Sequence, residues 1–423
     1  MKSAVLTRLT LATAGLALLA PAGVAWAEES DTPTQRVEGF APDGTPFHTD
    51  VPVEDSPQVQ SQALSDATVH PVEVNGPDQN RNVLVLIGDG YQAGEMGAFA
   101  EQTDRIWESM ASHEPFASYR ELFNVYRIEV PSTDSGVSGD PTEDVVRDTP
   151  LNSNYWCGGI ERLLCTDTGA AWSYADLIDG VDNIAVVANS EKYGGAGYIE
   201  EDIATLAGGN EQSIDLMMHE LAHSMGDLAD EYDYYAEPGD GSRYDGPEID
   251  APNVTIHSED EMLGDKLKWH CWIGEEDPNG GPTGAFEGAY YAEFGAFRPA
   301  ETSLMKVLGA EFNYPSRQGL IEKMWASAGS LADSHTDRAQ IGREVEVELP
   351  EIDTLTTTWY VDGTRKSDWD GRTSVPLTWD MRGSDLSVVI TDETEDVRDQ
   401  RTCATGSIQE EISWKVTPSR RPW

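Results

Sequence analysis

Apolar and polar residues alternate with two different periods along the chain, and the change between them divides it. Val83-Leu84-Val85-Leu86-Ile87 is a continuous apolar run, which predicts a strand buried on both faces. Gly88-Asp89-Gly90 then turns the chain, and Ala93 to Met110 reads as a helix. Phe123 to Val130 alternates as a second strand, and Ile184-Ala185-Val186-Val187-Ala188 is a third buried run. Strands separated by helices predict an α/β architecture with no internal repeat. From Arg343 onward the segments become short and alternating: 345–349, 357–361, 386–390 and 412–416, split by Asp-Gly and Pro turns. That spacing predicts a small all-β sandwich over 340–423, with no catalytic grouping of His and acids.

The N-terminal residues have a different character. Lys2 and Arg8 precede the apolar run Leu9–Ala20, and Ala25-Trp26-Ala27 supplies a small-residue cleavage pattern, so 1–27 reads as a signal peptide. The expectation is a secreted or extracytoplasmic protein, without stable membrane insertion. Residues 28–80 are rich in Pro, Asp, Ser and Gln, with a short apolar alternation near Thr45-Pro46-Phe47, and read as a lead-in or pro-segment with one hairpin. The main α/β domain is expected over 81–335. Cys157 and Cys165 are close enough for a small loop, with Cys271 and Cys403 as the other pair, but spacing alone leaves three pairings open.

Charge narrows the function. Asp and Glu number 76 against 28 Lys and Arg, for a formal net charge of −48. Such a chain repels nucleic acid and anionic membranes. Only eight of the cations are Lys, and an acidic, Lys-poor surface suits a protein kept soluble in strong salt. Gly88-Asp89-Gly90 is not a nucleotide fingerprint, because Ala93 stands where a third glycine belongs and no phosphate-binding Lys follows.

Chemistry concentrates in His219-Glu220-Leu221-Ala222-His223. Ile214, Met217, Met218, Leu221, Ala222 and Met225 form one apolar stripe of a helix. His219 and His223 then lie about 40° apart on the opposite side, facing a cleft. Ser213 is the expected N-cap and Gly226 the expected stop. Two imidazoles one turn apart can ligate one zinc, and Glu220 can take a proton from water. In the metzincin pattern a third His would fall at 229, but that residue is Ala229, followed by Asp230 and Glu231.

Read as a whole, His219 to Tyr232 resembles the zinc metallopeptidase family named for bacterial IgA peptidase. Ile87-Gly88-Asp89-Gly90-Tyr91, Phe123-Asn124-Val125-Tyr126, Ser132–Val137, Arg147-Asp148-Thr149 and Tyr193–Gly197 look like further blocks of that family. Lys268-Trp269, Phe286–Ala289 and Phe297-Arg298-Pro299 continue the order, so the likeness covers 82 to about 330. The resemblance implies an α/β, metzincin-like catalytic domain with His219, His223 and Asp230 as zinc ligands and Glu220 as general base. Glu231 is the alternative third ligand, and Glu287 a more distant one. Ser303-Leu304-Met305 looks like the segment that floors the zinc, and ordinary core packing is the alternative for Met305. Where the family often carries cysteines, Asn313-Tyr314-Pro315-Ser316-Arg317 has none. The expected activity is zinc-dependent hydrolysis of protein or peptide substrates, with Tyr232 a candidate oxyanion donor. The competing expectations are a catalytically silent binding protein on the same fold and a zinc amidase. The acidic stretch from Asp227 to Asp250 is a candidate calcium site.

Overall fold

A computed structural model describes residues 34–41, 46–52, 61–234, 239, 241–406 and 408–418. The expected signal peptide over 1–27 lies outside the described residues. From Thr34 onward the chain forms one compact unit.

Strand β1 (Thr34–Phe40) pairs antiparallel with β2 (Pro46–Pro52), in register from Thr34 opposite Pro52 to Phe40 opposite Pro46. A short helix, α1 (Ser61–Asp66), leads to β3 (Thr68–Val74) and then to β4 (Asn82–Asp89). All eight residues of β4 are buried, as an apolar run flanked by strands and covered on both faces requires. Helix α2 (Met96–Met110) connects to β5 (Phe123–Glu129), and α3 (Thr168–Ala175) to β6 (Asn183–Ala188). Helix α2 begins three residues later than its apolar pattern suggests. Before it, Glu95 closes a turn by accepting from the Gln92 backbone N–H at 2.8 Å and from Ser135 Oγ at 2.7 Å.

Two further strands, β7 (Gly195–Tyr198) and β8 (Ile203–Ala207), precede α4 (Gln212–Gly226). The eight strands form one sheet in the order β2-β1-β7-β8-β6-β4-β5-β3. Strands β8, β6, β4 and β5 run parallel, whereas β7 and β1 are antiparallel to their neighbours. Strands from the 28–80 stretch therefore form both edges of the sheet.

The period of two resolves the unbroken apolar runs into two cores. Leu84, Leu86, Ala185 and Val187 face Phe99 and Trp107 of α2 and Met217 and Leu221 of α4. Val83, Val85, Ile87, Ile184 and Val186 face Ala171, Tyr174 and Ala175 of α3. Each fully buried Val, Leu or Ile contributes about 1.5–3 kcal/mol, so the central strands hold the frame on which α4 sits.

After α4 come α5 (Glu259–Asp265), the pair β9 (Phe286–Ala289) and β10 (Ala292–Arg298), and α6 (Tyr314–Ala328). Asn313 caps α6, accepting from the Ser316 N–H at 3.0 Å. The last segment contains β11 (Ser334–His335), β12 (Glu344–Glu348), β13 (Leu355–Val361), β14 (Thr364–Arg365), β15 (Ser374–Pro376), β16 (Asp385–Asp392) and β17 (Ile408–Lys415). They make an antiparallel sheet β11-β12-β15 and another, β14-β13-β16-β17. Alternate residues of these strands are buried, with Trp359 and Trp414 stacked at 5.9 Å. Disulfides join Cys157 to Cys165 and Cys271 to Cys403.

Candidate active site

Helix α4 turns its apolar stripe into the core as expected, with Met217, Met218 and Leu221 nearly inaccessible. Its two ends differ from the sequence reading. Ser213 lies inside the first turn, and its hydroxyl donates to the Gly194 carbonyl at 3.1 Å. At the C-terminus Asp227, not Gly226, takes the left-handed conformation (φ 50°). Gly226 is needed for closeness instead, because a Cβ there would press on Leu320 at 2.9 Å.

The largest departure concerns the face that carries the chemistry. His219, Glu220 and His223 are 0%, 3% and 6% exposed, not open to a cleft. Strand β1 covers them. Glu38 of β1 stands opposite Gly197 of β7, and the Phe40 ring packs edge-on against His219 at 4.8 Å.

The turn after α4 returns Asp230 to the two imidazoles. Asp230 Oδ1 lies 3.1 Å from His219 Nε2 and 3.4 Å from His223 Nε2. Glu38 approaches from the other side, its oxygens 3.6 Å from His219 Nε2 and 3.5 Å from His223 Nε2. The four residues offer ligand atoms all within 4.8 Å of one another, and all four are buried.

The donor set fits a metal ion. His219 Nδ1 lies 2.9 Å from the Leu304 carbonyl, and His223 Nδ1 lies 2.8 Å from the Leu228 carbonyl. A carbonyl only accepts, so each Nδ1 must carry the proton, and a neutral ring then points its Nε2 lone pair into the cluster. His223 Nε2 and Glu38 Oε2 make no well-aligned hydrogen bond, although His48 Nε2 lies 3.3 Å from that Glu38 oxygen. Lone pairs of two imidazoles and two carboxylates converging on one buried point need a cation between them. Nitrogen and oxygen donors in this number suit zinc. Without a metal, protons take that role. Burial pulls the His219 pKa down, but the Asp230 and Glu38 carboxylates more than reverse this, to about 10.

Glu220 lies beside the cluster, and neither of its carboxylate oxygens has a hydrogen-bond partner. Burial, then the charge of Glu38, pushes its pKa well above the usual carboxylate range. Gly197 makes room for it, since a Cβ at that position would overlap the Glu220 carboxylate. Tyr291 donates to Asp230 Oδ2 at 2.5 Å, and Tyr232 donates to Glu38 Oε1 at 2.7 Å.

Glu231 is not in the cluster. It is wholly buried and accepts from Ser303 Oγ at 2.6 Å, Asn313 Nδ2 at 2.7 Å and Asn253 Nδ2 at 2.8 Å. Glu287 is exposed and accepts from the Gly295 N–H at 3.0 Å. Met305 is buried in the core, and its carbonyl accepts from the Glu231 N–H at 2.8 Å. Among the described residues, the stretch from Asp227 to Asp250 gathers no second group of carboxylates able to hold calcium. A cavity of about 620 Å³ lies between α4, α6 and residues 266–272, and none of the four clustered residues lines it.

Sequence reasoning missed Glu38, along with its neighbours His48 and Tyr291. Glu38 sits between the apolar Val37 and Phe40 in a segment read as a lead-in. An acid flanked by inward-facing apolar residues was its only signal.

No curated protein matches the chain. The family described as IgA Peptidase M64 matches residues 71–283, which is half of the chain and contains His219, Glu220, His223 and Asp230. The chain belongs to that peptidase family.

Proposed function

We propose that the protein is a zinc-dependent endopeptidase with His219, His223 and Asp230 as its metal ligands and Glu220 as its general base. The observation that carries this reading is the convergence of two Nδ1-tethered imidazoles and Asp230 on one buried point, with an unpartnered carboxylate alongside. Zinc, when bound, supplies a Lewis acid that acidifies water and polarises a peptide carbonyl.

The chain's own groups do the rest. Leu304 and Leu228 hold the imidazoles through Nδ1 and so fix the direction of each Nε2. Tyr291 holds Asp230 in the same way. Glu220 accepts a proton from the attacking water and returns it to the leaving amine, a task suited to an unpartnered carboxylate whose pKa burial raises above the usual range. Gly197 leaves the space in which that carboxylate sits.

The segment around Met305 lies under His219 through the Leu304 carbonyl, which supports a metzincin-like arrangement. The alternating burial of residues 344–415 supports a β-sandwich there. We read residues 1–27 as a signal peptide and the protein as secreted. Among the described residues no helix is long and apolar enough to cross a membrane.

The test is zinc content and casein cleavage of the purified protein, with and without a chelator, beside Glu220→Gln. One zinc per chain and chelator-sensitive cleavage lost in the variant are expected. Cleavage that survives both the chelator and the substitution would refute the proposal.

A further inference from the structure

Glu38 is out of place in a working hydrolase. A catalytic zinc keeps three protein ligands and one position free for water or substrate. Here a fourth protein donor, Glu38, reaches the cluster from outside the 71–283 region that the peptidase family matches. Its strand also lies along the edge of β7, which an extended peptide would need for main-chain pairing. Phe40, two residues on, packs its ring against His219.

The hairpin is built to hold Glu38 there. Glu38 stands directly opposite His48 across β1 and β2, and His48 Nε2 lies 3.3 Å from Glu38 Oε2. Tyr232, from the turn that carries Asp230, donates to the other oxygen. In the backbone, β1 is paired with β2 at seven positions and with β7 at one, Glu38 with Gly197, while Val37, Phe40 and Val51 pack into the core and Gln35 donates to Glu201. Displacing the two strands together therefore breaks one backbone pairing and this side-chain packing, and leaves the seven pairs between them intact.

We infer that the paired strands β1 and β2 are an internal inhibitor: Glu38 fills the metal's open position, β1 occupies the substrate edge of β7, and full activity requires the pair's displacement. This rests on the metallopeptidase reading. It adds that the intact chain is the less active form.

The test compares full-length wild type, Glu38→Ala and Glu38→Gln, each loaded with cobalt(II) and checked by mass for an uncut chain. Acetohydroxamate, a small metal-binding probe, is titrated while the visible cobalt spectrum is followed. A tethered carboxylate competes at an effective concentration of millimolar or more, so wild type should bind the probe about tenfold or more weakly than Glu38→Ala. Glu38→Gln keeps the size of the side chain and an oxygen to accept from Tyr232, and decides the matter if the alanine variant fails to fold. Casein cleavage should be higher in both variants than in the intact wild type.

Wild type that binds acetohydroxamate within about twofold of both variants, with an unchanged cobalt spectrum, overturns the inference and leaves the peptidase reading intact. So does intact wild type that cleaves casein as fast as the variants. Variants that gain probe binding yet cleave nothing support the blocking role of Glu38 and count instead against the peptidase reading. Failure of every form to take up cobalt defeats both.

Discussion

Asp230 and Glu231 are adjacent and both wholly buried, yet the structure gives them opposite tasks, and alanine substitution separates the two. Asp230 faces the Nε2 atoms of His219 and His223, so Asp230→Ala removes a metal donor. Glu231 faces the scaffold and ties Asn253, Ser303 and Asn313 together. Asn253 Nδ2 keeps a second acceptor, the Ala229 carbonyl at 2.8 Å, when Glu231 is removed. Ser303 Oγ and Asn313 Nδ2 then lose the carboxylate. Each buried donor left without a partner costs about 1–3 kcal/mol, and the vacated space adds to that, so Glu231→Ala should cost about 3–5 kcal/mol.

At roughly 2–4 °C per kcal/mol for a domain of this class, Glu231→Ala should lower the melting temperature by about 6–20 °C in chelator. Zinc at a thousandfold of its dissociation constant adds about 4 kcal/mol to any form that binds it. Melts with chelator and with zinc, beside zinc analysis, give both quantities for each variant. Glu231→Ala should start low and keep the zinc increment. Asp230→Ala should lose the increment together with most of its zinc. The reverse pattern would make Glu231 the ligand and refute the assignment of Asp230.

The other predictions draw on the same geometry. Glu220→Gln should keep zinc and fold while turnover falls by about 10²–10⁴, measured as casein cleavage by the metal-loaded full-length protein. Gly197→Ala should lower the melting temperature, because the buried Glu220 side chain must shift to admit a Cβ, and reduce turnover by displacing that carboxylate; unaltered activity would disprove that packing. Burial raises the Glu73 pKa, but hydrogen bonds from Arg120, Asn75 and Trp107 bring it from 4.5 down to about 2. That stabilisation is full above pH 4.5 and lost as the pH falls toward 2, so Glu73→Gln should flatten the acid limb of a stability curve in this window. With a net charge of −48, chelator-treated protein should melt higher as sodium chloride rises from about 0.1 to 1 M, and a melting temperature indifferent to salt would contradict a salt-adapted surface.

What was legible in the sequence was local. The apolar runs at 83–87 and 184–188 became central strands because a strand buried on both faces has almost no alternative to apolar side chains. His219 and His223 could be paired from spacing alone, since a helix places residues four apart on one side. Asp230 was within reach because a short turn ties it to the end of that helix. The choice between Asp230 and Glu231 was not legible, because it depends on which way the returning chain rotates. That rotation is set partly by the Glu231 N–H bonding the Met305 carbonyl, from a segment far along the chain.

Glu38 was beyond any local rule, for a reason that also bears on how it works. Its position depends on a hairpin register and on one edge pairing with β7. A slip of one residue would turn both Glu38 and His48 away from the cluster. Nothing in the composition of 28–80 reveals that register, because alternation there is short and polar residues occupy both faces. The zinc-binding half of the site is thus encoded where the chain is rigid and contiguous, on α4 and its following turn. The blocking half is encoded in a strand whose backbone pairs with the sheet at Glu38 and Gly197, and which packs Val37 and Phe40 inward. A ligand meant to stay would be better placed on the rigid frame, whereas a ligand meant to leave needs the separable one, and Glu38 sits on the latter.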